Sequence, residues 1–285
     1  MTFRTRFAPS PTGPLHLGHA FSALTAFDMA RRAGGEFLLR MDDIDRIRSK
    51  PEYEDLAVED LRWLGLSWPE PVMKQSRSGA RFRAALAQLD QLDLTYPCSC
   101  SRADIAAAAD APQEGVPTHG PDGRIYPGTC RGRPMSKATE DDAIRLDMAK
   151  ALAVAGPLPA FVETGAEVCG THALEATDLL TTIGDVAVAR RGMAAAYHLC
   201  VVVDDHAQQI SHVVRGVDLF DATRIHVLLA HLLGLPIPIY HHHRLIRDDA
   251  GKRLAKRDDA RAISLYRAEG AQPDDIRRIV GLPLG

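Results

Sequence analysis

With 285 residues, 46% of them apolar and 25% charged, the chain has the composition of a globular protein of one large domain or two modest ones. No apolar run approaches the ~18 residues of a membrane span, and five cysteines, an odd number, argue against a disulfide framework and for a reducing, cytoplasmic compartment. A net charge of −3 does not announce a nucleic-acid binder, although ten Lys or Arg stand against seven Asp or Glu between Arg244 and Arg278.

The first elements read strand, loop, helix. Thr2 to Ala8 is a short β-prone run, followed by the proline-rich stretch FAPSPTGPLHLGH. From about Gly18 a helix carries Ala20, Ala23, Leu24, Phe27 and Ala30 at helical spacing and stops at Gly34-Gly35. Glu36 to Met41 is the next strand. Ser49 and Glu52 have capping-box spacing with Pro51 in the first turn, and the helix they open runs through Leu56, Leu61 and Leu64 to Gly65. This alternation predicts an α/β fold with a parallel sheet.

The middle of the chain changes character. Residues 110–134 hold five prolines and five glycines with little periodicity, which reads as loop. Short strands are expected at Ala143 to Met148 and Asp185 to Ala189, and residues 95–190 read as an insertion between two halves of the sheet. The α/β pattern then returns. Leu199 to Val203 is apolar at every position, the pattern of a strand buried on both faces, and ends in Asp204-Asp205. His212 to Gly216 follows, then a helix through Leu219, Ile225, Leu228, Leu229 and Leu232, and a last strand at Ile237 to Tyr240. Two helical stretches, Ile263 to Glu269 and Pro273 to Val280, complete the chain. The domain reading is a first catalytic half at 1–94, the insertion at 95–190, a second half at 191–242 and a helical segment at 243–285.

In an open α/β sheet, ligands sit where strand ends turn into helices. The proline-rich stretch is such a turn. A helix beginning near Gly18 offers unpaired N–H groups and partial positive charge to an anion. His16 and His19 have donors for phosphate oxygens, and Gly18 admits a flat base close to the backbone. Downstream, Gly251-Lys-Arg-Leu-Ala-Lys-Arg257 is a short basic loop suited to charge developing on a phosphate. A surface turn and a solvated basic run would look similar; their order on either side of an α/β sheet favours a phosphate site. Cys98, Cys100 and Cys130 offer three thiolates of the kind zinc prefers, or three small buried hydrophobes. Cys169 and Cys200 have no such company and read as core.

Taken together, these motifs resemble the class I aminoacyl-tRNA synthetases, and within them the glutamyl group. Arg6-Phe-Ala-Pro-Ser-Pro-Thr-Gly13 matches that group's opening motif. His16-Leu-Gly-His19 is similar to its HIGH element, and Arg253-Leu-Ala-Lys-Arg257 stands where the family has KMSKS. Arg40-Met-Asp-Asp-Ile-Asp45, Val214-Arg-Gly216 and Tyr240-His-His242 also fit, so the likeness spans essentially the whole chain. It implies a Rossmann-like catalytic domain with an inserted zinc-binding subdomain. It also implies attack of the L-glutamate α-carboxylate on the α-phosphate of ATP, with Mg²⁺ accompanying the nucleotide.

Carried over residue by residue, the resemblance assigns His16, Gly18, His19 and Lys256 to ATP. Arg6, Ala8, Ser10, Asp42, Tyr197 and Arg215 go to glutamate, with the two arginines facing carboxylate and Asp42 facing the ammonium. The sequence departs from the family at Asp42, where Glu is usual, which withdraws the carboxylate by about 1.5 Å. It departs again at Arg253 and Ala255, leaving Lys256 as the surest lysine-loop member.

A truncated branch of the glutamyl group carries a C-x-C…Y-x-x-x-C zinc site, which implies Tyr126 as fourth ligand beside Cys98, Cys100 and Cys130 and one structural Zn²⁺. Only 29 residues follow Lys256, so an anticodon-reading domain is not expected. That branch transfers glutamate to the queuosine base at the wobble position of tRNA(Asp), acting as a cytoplasmic monomer without a membrane partner. Two alternatives stay open: a truncated glutamyl synthetase charging a tRNA 3′ end, and a non-catalytic tRNA-binding paralogue.

Overall fold

The computed structural model describes residues 2–109, 117–247 and 261–284. Its opening is built of β-α-β units: β1 (Arg4–Phe7), α1 (Leu17–Arg32), β2 (Glu36–Met41), α2 (Pro51–Trp63) and β3 (Met73–Lys74). The three strands pair in parallel, with Arg4 opposite Glu36 and Arg40 opposite Met73. Gly35 permits the entry into β2, because a Cβ there would lie 2.1 Å from the Phe3 carbonyl oxygen. The expected capping box at Ser49 does not form. Pro51 fixes the first helical position, so the cap falls on Lys50, which makes no side-chain cap bond; Glu52 and Glu54 in the first turn complement the helix dipole instead.

The next stretch holds α3 (Gly79–Gln91), β4 (Thr95–Cys98), α4 (Arg102–Ala109), the two-residue strands β5 (His119–Gly120) and β6 (Gly123–Arg124), β7 (Ala143–Leu146) and α5 (Met148–Ala155). Then come β8 (Ala160–Glu163), β9 (Gly170–Ala173), α6 (Ala176–Asp178) running into a π-helical turn, and β10 (Ala187–Ala189). Strands β4, β7 and β10 make a small antiparallel sheet. Strand β8 does not belong to it: Glu163 lies opposite Tyr240 in parallel with β12. The interruption of the main sheet is therefore narrower than 95–190.

The run Leu199 to Val203 is a helix, not the expected strand. It lies inside α7 (Tyr197–Ala207), where every residue from His198 to Asp205 is buried. A short apolar run is compatible with a strand buried on both faces or a helix buried all round, and here α3, α8 and β10 enclose it. Strands β11 (His212–Gly216) and β12 (Ile239–His243) flank α8 (Thr223–Leu232) and pair in parallel, with Arg215 opposite His242. The Ser211 amide donates to the Arg4 carbonyl at 2.9 Å, which brings the start of β11 alongside β1 and joins the halves.

The last helices, α9 (Ile263–Ala268) and α10 (Pro273–Val280), pack back on the first unit. Arg277 grips Asp28 of α1 through two bonds of 2.8 and 2.9 Å, and Ile276 and Val280 are buried. Among the described residues no helix is long and apolar enough to cross a membrane. Cys200 is buried as expected; Cys169 is exposed, contrary to its reading as core.

Candidate active site and metal centre

His16 is the N-cap of α1, and its Nδ1 accepts the Gly18 amide at 3.1 Å. His19 reciprocates, its Nδ1 accepting the His16 amide at 3.2 Å. An Nδ1 that accepts carries no proton, so in the neutral form of either ring the N–H sits on Nε2. The ring centroids lie 3.8 Å apart. Both histidines and Gly18 line a cavity of about 350 Å³ whose other walls include Arg215, Gly216 and Arg244. Lys256, with Arg253 and Ala255, lies outside the described residues. The chain leaves the described part just past Ile246, which lines this cavity, and re-enters near Ala262, which is bridged to His16.

Beside this cavity runs a buried ionic chain along the strand ends. Asp205 of α7 accepts Arg6 in two bonds of 2.9 and 3.0 Å and Arg40 in one of 2.6 Å. Arg40, fully buried, turns its Nε to Asp42 at 2.8 Å, and Gln75 reaches Asp42 and Asp204 at 3.3 and 3.4 Å. Burial raises Asp205, but the Arg6 and Arg40 guanidinium groups outweigh it and hold it below the usual carboxylate range. At Asp42 burial prevails over the pull of Arg40 and its carboxyl moves up. The proline loop is tied to the same region: Pro9 accepts the Asp42 amide at 3.0 Å and Pro11 the Lys50 amide at 3.0 Å. Ala8 and Ser10 flank Pro9 in that loop.

Arg215 is buried among neutral groups. Its Nε donates to His242 Nε2 at 3.0 Å, Nη1 to His226 Nδ1 at 3.0 Å, and Nη2 to Thr223 Oγ1 at 2.7 Å and the Leu219 carbonyl at 3.3 Å. Among the described residues no carboxylate pairs with it. Behind His242 stands Glu163, 2.5 Å from Nδ1. His226 is pushed well below its ordinary pKa, first by burial and then by the Arg215 charge. Tyr197, at the first turn of α7 and 41% exposed, sets its ring edge against His226 with 5.7 Å between centroids. Arg215 is thus a wall of the histidine cavity and of a second, largely apolar cavity of about 590 Å³ that also reaches Asp205 and His226. The first cavity is the one on which the phosphate-type groups converge.

Of the expected residues, the structure brings His16, Gly18, His19 and Arg215 to one cavity and Arg6 and Asp42 to the adjoining ionic chain, with Tyr197 against His226. Sequence reading missed Asp205, Arg40, His226 and Glu163 as partners of these groups. The pair Asp204-Asp205 at the end of an apolar run was the available signal; His226 and Glu163 gave none, being single polar residues in ordinary amphipathic stretches.

The cysteines converge as well. Cys98, Cys100 and Cys130 hold their sulfurs within 4.8 Å of one another. The Tyr126 hydroxyl lies 3.3 Å from Cys98 Sγ and 3.4 Å from Cys100 Sγ. Tetrahedral zinc with Zn–S near ~2.3 Å requires sulfurs about 3.8 Å apart, so three sulfurs and one oxygen fit a closed site. Burial pushes Cys100 up to about 11; at Cys130 burial acts upward too, but hydrogen bonds from the Tyr126 hydroxyl and the Ser99 amide hold the thiol down to about 6. Next to the cluster is a cavity of about 820 Å³ lined by five arginines, at 102, 124, 145, 190 and 191, against Asp122 and Asp141.

Residues 2–283 match the family model for the catalytic domain of class I tRNA synthetases (E and Q). The Glutamyl-Q tRNA(Asp) synthetase of Rhodobacter capsulatus is 59% identical over 281 residues, spanning 98% of this chain and 99% of the relative. The protein of the same name from Symbiobacterium thermophilum is 40% identical over 283 residues, spanning 95% of this chain and 83% of that one. The fold is shared with glutamate-tRNA synthetase of Elizabethkingia anophelis at a TM-score of 0.74 and 24% identity; the match covers 98% of this chain and 61% of that protein.

Proposed function

This chain belongs to the class I tRNA synthetase family (E and Q) and is a ligase, and from that premise we propose that it activates L-glutamate with ATP and transfers the glutamyl group to the queuosine base of tRNA(Asp). The observation that carries the reading is the histidine cavity, with His16, His19 and a helix N-terminus on one wall and Arg215, with which no described carboxylate pairs, on another. The glutamate α-carboxylate oxygen attacks the α-phosphorus of ATP, the α,β-bridging P–O bond breaks, and pyrophosphate leaves. No protein nucleophile is needed, so the protein positions the reactants and stabilises charge.

His16 and His19 donate to phosphate oxygens, the first turn of α1 adds its dipole, and Gly18 admits the nucleotide close to the backbone. Lys256 is assigned to the departing pyrophosphate. Arg215 takes the glutamate carboxylate. Arg6 approaches the same ligand from β1 with its charge already balanced by Asp205, so Arg215 carries the larger share. Asp42 takes the ammonium, with Ala8, Ser10 and Tyr197 around it. Zinc held by Cys98, Cys100, Tyr126 and Cys130 supplies a structural cross-link, since four protein ligands leave no open position. The choice of acceptor is supported by the names of the full-length relatives.

The test is transfer of labelled glutamate to tRNA(Asp) with and without queuosine, each acceptor also prepared with a terminal 2′,3′-dideoxyadenosine. Label that requires queuosine and survives loss of the 3′-terminal diol supports base modification. Label on the 3′ end of tRNA(Glu) assigns the chain to conventional charging instead. Absence of glutamate-dependent pyrophosphate exchange, with tRNA still bound, points to a non-catalytic paralogue.

A further inference from the structure

Arg215 has a second line of support that leads away from the glutamate site. Arginine only donates, so His226 Nδ1, 3.0 Å from Arg215 Nη1, must be the bare acceptor nitrogen of its ring. The proton of His226 then sits on Nε2, which faces His198 Nδ1 at 3.0 Å. His198 Nδ1 must accept in turn, which puts its proton on Nε2. That nitrogen is buried, has no hydrogen bond of good angle, and lies 3.2 Å from Asp122 Oδ1. Every proton position in the series follows from the one before it.

The far end of the series is not in the active site. Asp122 sits in the turn between β5 and β6, with Arg190 Nη2 at 3.7 Å, and lines the arginine cavity beside the cysteine cluster. His198 and His226 are 4% and 2% exposed, so water does not complete their bonds. A buried imidazole is held in one tautomer and orientation by the group on its other nitrogen. Here the Asp122 carboxylate stands against His198 Nε2, His198 accepts from His226, and His226 fixes one side of the guanidinium. Glu163 and His242 do the same for the other side over a shorter distance.

We propose that Asp122, His198 and His226 are positioning residues that set the orientation of Arg215 for the amino-acid carboxylate, and that they tie the glutamate site to the arginine cavity. The proposal rests on Arg215 being the glutamate-binding cation. The arm reaches substrate through Arg215 and through the Tyr197 ring against His226, so its loss appears in glutamate binding and leaves the nucleotide side alone.

The test is glutamate-dependent ATP–pyrophosphate exchange in His226→Leu, His226→Asn, Asp122→Ala and the double variant Asp122→Ala/His226→Leu. In His226→Leu the glutamate KM rises roughly tenfold, the size of one hydrogen bond to a charged group, while the ATP KM stays put. In His226→Asn the side-chain oxygen occupies the place of Nδ1, and the glutamate KM returns to within about threefold of the unsubstituted protein. Asp122→Ala, partly exposed and remote from substrate, raises the glutamate KM about threefold with unchanged thermal unfolding. The double variant is no worse than His226→Leu alone to within about twofold. A glutamate KM unmoved in Asp122→Ala and His226→Leu, with exchange intact, overturns the proposal alone. Exchange that ignores glutamate in the unsubstituted protein overturns the functional reading, and this proposal with it.

Discussion

Arg6 and Arg215 lie on neighbouring strands, both about 5–6% exposed, and both were expected to face a substrate carboxylate. Their surroundings are opposite. Arg6 closes a two-bond pair on Asp205, which Arg40 shares from the other side. Arg215 is surrounded by two imidazoles, a hydroxyl and a carbonyl, all neutral acceptors. Neutral acceptors satisfy the N–H groups of a guanidinium but do not cancel its charge. Removing an ion from water costs several kcal/mol unless an opposite charge offsets it. The fold supplies that charge to Arg6; among the described residues it does not supply it to Arg215, where an anionic ligand gains most.

The sharpest way to break this contrast is Arg215→Met. Glutamate-dependent pyrophosphate exchange should fall by about a thousandfold, a transition-state loss of ~4 kcal/mol. Thermal unfolding should move little, because the partners left behind are neutral. Loss of fold together with activity would make Arg215 a scaffold cation and erase the distinction.

Asp205→Asn should do the reverse. It leaves Arg6 and Arg40 buried without their shared carboxylate and is expected to cost about 3 kcal/mol or more in urea unfolding. A stability change under ~1 kcal/mol would show that Asp205 does not compensate the pair.

The cysteine cluster offers a contrast of a different kind, with soft ligands in place of a carboxylate. Cys98→Ser should abolish about one equivalent of bound zinc and lower the melting temperature by several degrees, since metal binding couples to folding. Cys200→Ser should leave zinc content unchanged. Equal zinc in the two variants would rule out the cluster as the metal site.

Asp60 of α2 provides the smallest and most specific test, being a buried carboxylate that lacks what Asp205 has. Both its oxygens are without a hydrogen bond, and Arg267 of α9 stands 3.6 Å away. Burial pushes its pKa up to about 6, against the pull of Arg267 and with the aid of Glu59. Because the folded value lies above the ordinary value near ~4, the folded state binds the proton more tightly. The stabilising contribution is therefore full below about pH 4 and is lost as pH rises through about 6. Asp60→Asn should flatten that decline and raise stability at pH 8 by about 1 kcal/mol. An unchanged pH profile would show that Arg267 neutralises Asp60 after all.

How much of this was legible depends on the range of the interaction. The entry to α1 near Gly18 could be read because Pro and Gly act locally; that His16 caps the helix, as an N-terminus needs, came from the structure. Helix α10 could be read residue for residue, since Pro273 at its first position and Gly281 at its end are local signals. Ser49 failed for the same reason that others succeeded. The capping pattern was present, but Pro51 set the helix phase one residue later. Leu199 to Val203 failed because hydrophobicity reports burial and not which element is buried; α3, α8 and β10 decide that from elsewhere in the chain.

What the sequence determined by itself was the α/β alternation, the ordered phosphate and cysteine motifs, and the list of residues able to bind. These depend on residue type and short spacing. Which of those residues are balanced internally was decided by the tertiary structure alone. Asp205 reaches Arg6 from 199 positions away, and Glu163 reaches His242 from 79. Electrostatic compensation of a buried charge acts over a few ångströms of space, whatever the distance along the chain. A motif can therefore name the arginines, and only the fold can say which of them is left for a ligand.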